Sequence, residues 1–410
     1  METTGRHLIT LRRGRSVQAA SSIEKISGPI ADSREFGSAG IAMVAESETT
    51  VVYQRVGVAI GNLDPDQAVA VSQVDDVLAV EPERICYAID NADYLRGFQA
   101  GVNAVTNAAL GATAPPVRAV TVASALDESQ ATWGLQLSNI LTSRFSGKGI
   151  KIAILDTGLA SAHPDFAKRA GITMKSLIPG VVSAEDGHGH GTHCAGTAGG
   201  PATPQSLPRY GVASSAELFI GKVLNDRGNG ADGDIIAGIE WALQEGCALV
   251  SMSLSAPVAV GAAFSTAYEQ AAAAALEEGC LIIAAAGNDS RRPSVIAPVG
   301  HPANCPSILA VAAIDDQLQI AVFSNGRVAA GKAVAIAAPG VQIYSSWLPP
   351  RLCNTISGTS MAAPHVAGIA ALFAESTGLR GQALQTVLLN GVRSLGLPST
   401  DVGAGLVQAP

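Results

Sequence analysis

Residues 151–158 read "KIAILDTG", an apolar run without alternation, closed by Asp156, Thr157 and Gly158. A strand with no polar face is buried on both sides, which is the condition of a parallel sheet covered by helices. The same pattern recurs in "ELFIGKVL" (217–224), "ALVSMSL" (248–254), "LIIAAAG" (281–287) and "ILAVAAI" (308–314). Between these runs lie segments with helical spacing, such as "DIIAGIEWALQEG" (234–246) and "FSTAYEQAAAAALEEG" (264–279). Strands alternating with helices predict an α/β fold, a doubly wound parallel sheet, over residues 125–410.

Upstream the pattern differs. "HLITLRR" alternates like a strand, and "SVQAASSIEKISG" has helical spacing that stops at Gly28. "TTVVYQRVGVAIG" is strand-like, "DPDQAVAVSQV" helix-like and "VLAVEPER" strand-like again. Residues 1–90 therefore form a small α+β unit of their own. Residues 91–124 mix one apolar helical stretch with a Pro-containing segment and read as a linker or extension.

Composition narrows the function. Hydrophobic residues make up 48% of the 410 and charged ones 15%, enough for a large core and too apolar for disorder. A net charge of −8 argues against a nucleic-acid partner, which needs a basic face. No apolar run is long enough to cross a bilayer. Arg12, Arg13 and Arg15 interrupt any leader-like apolar core at the start, so a cytoplasmic location or non-classical export is expected. Six cysteines in a chain of this length do not make a disulfide framework.

In open parallel sheets, ligands bind beyond the carboxyl ends of the strands. Those ends carry Asp156, then Ser253, Leu254 and Ser255, then Asn288. Two further segments bear chemistry. "DGHGHGTHCAG" (186–196) holds three of the chain's seven histidines beside Cys194. "SGTSMAAPH" (357–365) opens an apolar helix. A serine there is ordinarily a helix cap, yet a Gly-rich turn can also expose a nucleophile where the helix N-terminus steadies a developing oxyanion.

"AILDTG", "GHGTHCAGT" and "GTSMAAPHVAG" resemble the three catalytic blocks of the subtilisin-like serine proteases, in the chain order Asp, His, Ser. The likeness runs from Trp133 to the C-terminus through "SMSLS", "AAAGN" and "HPANCPSILAVAA". It implies Ser360 as nucleophile, His190 as its base, Asp156 as the group orienting His190, and Asn288 as an oxyanion donor. It also implies a protein or peptide substrate lying extended between Gly228–Asn229–Gly230 and Ser253–Leu254–Ser255. Gly300 matches the base of the primary pocket, which implies a deep pocket for large apolar or aromatic side chains, with Ser255 narrowing its mouth. The N-terminal unit resembles the family's propeptide, an intramolecular inhibitor and folding chaperone that the enzyme removes itself.

The chemistry needs no cofactor. Structural calcium is common in the family, and Asp165 matches a calcium-ligating position, although the loop supplying the other ligands is replaced by "GGPATPQSLPRYG". Cys194 resembles the thiol beneath the catalytic histidine in the proteinase K branch; Cys247 and Cys280 read as buried thiols, and Cys305 and Cys353 as a possible disulfide. Rival readings are a metal-dependent hydrolase using His188, His190 and His193, an aspartic protease built on "ILDTG", and an inactive binding module. The metal site lacks a distant ligand cluster with recognisable spacing. The aspartic site lacks its second carboxylate, and the binding module leaves a complete catalytic set without a use.

Overall fold

The computed structural model describes residues 2–33, 49–88, 126–328 and 331–410. The expected linker at 91–124 lies outside the described residues. The N-terminal unit follows the expected order. Strand β1 (Thr3–Leu11) is followed by a helix, Ser16–Ser27, which ends where Gly28 turns left-handed at φ 89° and its N–H bonds to Glu24 O. Next come β2 (Ile30–Asp32) and the hairpin β3 (Thr50–Tyr53) and β4 (Val58–Gly61). A second helix, Pro65–Ser72, starts with a reciprocal Asp64–Gln67 capping box, and β5 (Val77–Ala88) follows it.

Side chains alternate across this sheet with period two. Ile9, Leu11, Val52, Ala59 and Val77 face Ala19, Ile23, Leu63 and Val71 in a small core of the unit's own. Their neighbours Leu8, Val51, Val58 and Ile60 turn the other way and join the core of the larger part.

That larger part holds the parallel sheet. In chain order its strands are β6 (Lys151–Asp156), β7 (Ile172–Ser176), β8 (Glu217–Lys222), β10 (Leu249–Met252), β12 (Leu281–Ala285), β13 (Leu309–Ile314) and β14 (Ile336–Pro339). Two short strands lie off it, β9 (Asn229–Ala231) and β11 (Leu254–Ser255). The sheet order is β14-β13-β12-β10-β6-β8-β7, every neighbouring pair parallel. This is the expected fold, with β7 and β14 added at the two edges. Helix Thr359–Thr377 packs across β10, β12, β13 and β14, buried from Thr359 through Ala374.

β5 joins the two parts. Its first half pairs with β1 (Ile9 opposite Val80), and its last residues pair antiparallel with both β9 and β11. Elsewhere the N-terminal unit covers two helices, Asp232–Gln244 and Thr266–Glu277. Glu240 accepts from Val56 N at 3.1 Å, and Gln270 Nε2 donates to Leu11 O at 2.9 Å and Gly57 O at 2.6 Å. Glu81 accepts from Ser265 Oγ and Ala267 N, both at 3.1 Å, placing a carboxylate at the N-terminus of the second helix.

Candidate active site

Asp156 ends β6 and is fully buried; its Oδ1 lies 2.8 Å from His190 Nδ1 and accepts from Thr157 N at 2.8 Å. His190 opens the helix His190–Gly199. The glycines beside it are required. Gly189 is left-handed at φ 103°, and a Cβ there would stand 2.5 Å from the Trp347 ring. A Cβ on Gly191 would stand 2.3 Å from Gly158 O. Burial works against a charged His190, but the adjacent Asp156 carboxylate and Cys194 outweigh it, and its pKa is raised well above the ordinary value. Nε2, the nitrogen facing away from Asp156, has no hydrogen-bond partner among the described residues.

The turn before His190 is organised by Asp186. Its carboxylate accepts from Thr157 Oγ1, His188 N, Gly189 N, Thr192 N and Thr192 Oγ1 at 2.6–2.9 Å. Burial opposes its charge, and these donors hold its pKa below the usual carboxylate value. Sequence reasoning placed Asp186 only beside a histidine cluster and missed this role. The three histidines do not converge. His193 Nε2 lies 3.0 Å from Ile343 O, and burial drives its pKa to about 3. His188 stands with its ring centroid 6.2 Å from that of His190, facing the space beside Gly228.

Ser360 lies in the first turn of its helix and is fully buried. Its Oγ donates to Ser253 O at 3.0 Å, while Ser253 Oγ donates to Ser360 O at 2.7 Å. The expected nucleophile is thus turned toward a carbonyl and not toward His190. Cys194 lies beneath both residues, its Sγ 3.8 Å from His190 Nδ1 and 3.5 Å from Ser360 O; burial pushes its thiol up to about 11. Asn288 follows the β12 strand. Thr359 donates to its Oδ1 from N at 2.9 Å and from Oγ1 at 2.8 Å, which fixes the orientation of the side-chain amide.

The two expected substrate edges face each other across β5. Leu254 and Ser255 sit opposite Ala88 and Tyr87, while Asn229 and Gly230 sit opposite Tyr87 and Cys86. Ala88 N donates to Gly228 O at 2.7 Å. Among known proteins, the subtilase family profile matches residues 147–405.

The chain belongs to the subtilase family.

Subtilisin BL of Lederbergia lenta is 40% identical over 266 residues, which span 64% of this chain and 90% of that protein. Subtilisin DY of Bacillus licheniformis is 40% identical over 228 residues, 56% of this chain and 77% of that one. A solved cold-adapted subtilisin-like serine proteinase aligns at TM-score 0.58 and 30% identity, over 69% of this chain and 99% of its own. The protein is a subtilisin-like serine endopeptidase, and its substrates are proteins or peptides.

Two features set this subtilase apart from its sequence expectations. A Cβ built on Gly300 would stand 2.2 Å from Ser255 Oγ, so the serine fills the space that the glycine opens. Asp165 does not offer a cation free oxygens: Oδ1 accepts from Gln205 N at 2.6 Å and Oδ2 from the Tyr210 hydroxyl. Both donors come from the replacement loop, a set that does not fit calcium at this position. Cys305 Sγ faces Ser265 O, Cys353 lies in a strand paired with Ser346, and both are free thiols.

Proposed function

We propose that this subtilase cuts peptide bonds with Ser360, His190 and Asp156, and that the N-terminal unit is a propeptide holding the enzyme shut until it is cut away. The observation that carries the reading is β5. One strand adds its backbone to both edges of the groove, as an extended substrate would, and so excludes any other peptide. In this reading residues 1–90 are the inhibitor, 91–124 the cleavable connection and 125–410 the peptidase.

Catalysis then needs one small movement. Ser360 Oγ turns from Ser253 O to His190 Nε2, gives up its proton there and attacks the scissile carbonyl. Asp156 keeps Nδ1–H in place and stabilises the imidazolium. The oxyanion is received by the Asn288 side-chain amide and the Ser360 N–H at the helix N-terminus. His190 returns the proton to the leaving amine, and water repeats the sequence to release the acyl group. Gly228–Asn229–Gly230 and Ser253–Leu254–Ser255 hold the substrate backbone, and Gly300 with Ser255 shapes the primary pocket.

The test is to express the full chain and Ser360→Ala side by side and map N-termini by mass spectrometry. The full chain is cut between Ile89 and Gln130, and the variant stays intact. Identical intact products from both would overturn self-processing, and casein hydrolysis by Ser360→Ala would overturn the nucleophile.

A further inference from the structure

The junction between the N-terminal unit and the peptidase holds a second group of metal-ligating side chains, separate from Asp156, His190 and Cys194. Cys86 comes from β5, Asp232 from the first turn of the helix Asp232–Gln244, and His301 from the segment after Gly300. Their donor atoms all lie within 4.8 Å of one another. Cys86 and Asp232 are 0% exposed and His301 1%.

Asp232 Oδ1 is the hub, 2.9 Å from His301 Nε2 and 3.5 Å from Cys86 Sγ. A thiol, an imidazole and a carboxylate around one point make the donor set of a borderline transition ion, zinc above all. With Zn–S of about 2.3 Å and Zn–O or Zn–N of about 2.0 Å, tetrahedral ligands stand about 3.5 Å apart for S and O and about 3.3 Å for N and O. The Cys86–Asp232 gap already has this value. The His301–Asp232 gap needs to open by about 0.4 Å.

The surroundings suit an ion. Asp232 Oδ2 accepts from Arg84 N at 3.0 Å, and the Tyr268 ring stands edge-on to His301 with centroids 4.6 Å apart, so a second layer orients two of the ligands. A cavity of about 340 Å³, lined by Arg84, His301 and Asn304 among others, reaches one member of the group, His301. Asn304 is 8% exposed, and its Oδ1 has no hydrogen-bond partner among the described residues. A water entering by the same cavity would be the fourth donor.

We propose that Cys86, Asp232 and His301 bind a zinc ion, or a transition ion of similar softness, that fastens β5 into the substrate groove. On binding, the Cys86 thiol releases its proton to solvent as the sulfur–metal bond forms. The set is complete only while the N-terminal unit is docked, because Cys86 belongs to that unit and the other two ligands to the peptidase. Free zinc at 100 times its Kd therefore shifts the docked–undocked equilibrium about 100-fold toward the closed form. The latch rests on the propeptide reading above, whereas the site itself does not.

Metal-free Ser360→Ala chain, titrated with Zn²⁺, binds one equivalent. With Co²⁺ instead, it shows a thiolate-to-cobalt charge-transfer band. In the same background Cys86→Ala removes the band, and His301→Gln weakens Zn²⁺ binding about 100-fold, beyond most second-layer changes, while both variants still melt cooperatively. Absence of stoichiometric binding, or binding undiminished in both variants, overturns the site. In the chain with Ser360 intact, zinc delays the appearance of casein hydrolysis and a chelator hastens it, and Cys86→Ala abolishes both effects. Equal delay with and without zinc overturns the latch. Immediate hydrolysis by uncut chain overturns the propeptide reading instead, while the cobalt band still reports on the site.

Discussion

Ser360 and Ser253 hold each other through two hydrogen bonds, Oγ of each to the carbonyl of the other, at 3.0 and 2.7 Å. Ser253 directly follows β10, so the backbone of the proposed nucleophile is tied to the rim proposed to align a substrate. Ser253→Ala removes one of these bonds, worth about 1 kcal/mol. The expected result is a Tm lower by a few degrees and a kcat lower by roughly 5–10-fold. An unchanged kcat in steady-state assays of the mature enzyme would show that the tie does not position Ser360.

Asn288→Ala removes the side-chain donor that Thr359 orients. The kcat should fall about 10²–10³-fold with KM nearly constant, the loss known for such a donor in subtilisin, a relative of this protein. A matching rise in KM would instead mark Asn288 as a ground-state contact.

His190 must be neutral to accept a proton, and its pKa is raised. Activity is therefore lost as pH falls through that raised value, and the acid limb of kcat/KM should lie above the ordinary 6.5. Asp156→Asn removes the carboxylate that raises it. The limb should move to lower pH while kcat falls by about 10⁴-fold. A limb that stays in place in the variant would show that Asp156 does not set the titration.

Ser255→Gly empties the space over Gly300. Relative to the wild type, kcat/KM for substrates with Phe or Tyr before the scissile bond should rise about 10-fold against those with Val, within the 1–3 kcal/mol range of apolar pocket effects. Equal preference in both enzymes would place the primary pocket elsewhere.

Glu81→Gln weakens the contact of the N-terminal unit with Ser265 and Ala267 at a helix N-terminus, worth about 1 kcal/mol. The uncut Ser360→Ala chain should melt lower by a few degrees, and the chain with Ser360 should become active roughly 5-fold sooner. No change in either would show that the contact adds nothing to docking.

Much of this was legible in the sequence. The five continuous apolar runs are five neighbouring strands of the sheet, because burial on both faces leaves no polar position to break the pattern. The edge strands β7, "ITMKS", and β14, "IAAP", were not visible. The first carries polar residues that a solvent-facing edge tolerates, and the second is short and ends in Pro339. The motifs pointed to Asp156, His190, Ser360 and Asn288 as the residues to consider. They could not give the direction of the Ser360 hydroxyl, which depends on Ser253, 107 residues earlier in the chain. The meeting of Cys86, Asp232 and His301 was equally invisible, because each comes from a different segment and no sequence spacing links the three.

The N-terminal sheet has a private core on one face only. Among the described residues nine buried side chains fill it, from Ile9 to Val77, whereas Leu8, Val51, Tyr53, Val58 and Ile60 belong to the core of the peptidase. If the unit is severed and undocked as proposed, the second face of its sheet is bared to water, and so few buried groups seldom sustain a fold. Departure would then be followed by collapse of the departing piece, which makes its return rare. On the proposed propeptide reading, activation would behave as a ratchet, its one-way character coming from a sheet whose second face was never its own.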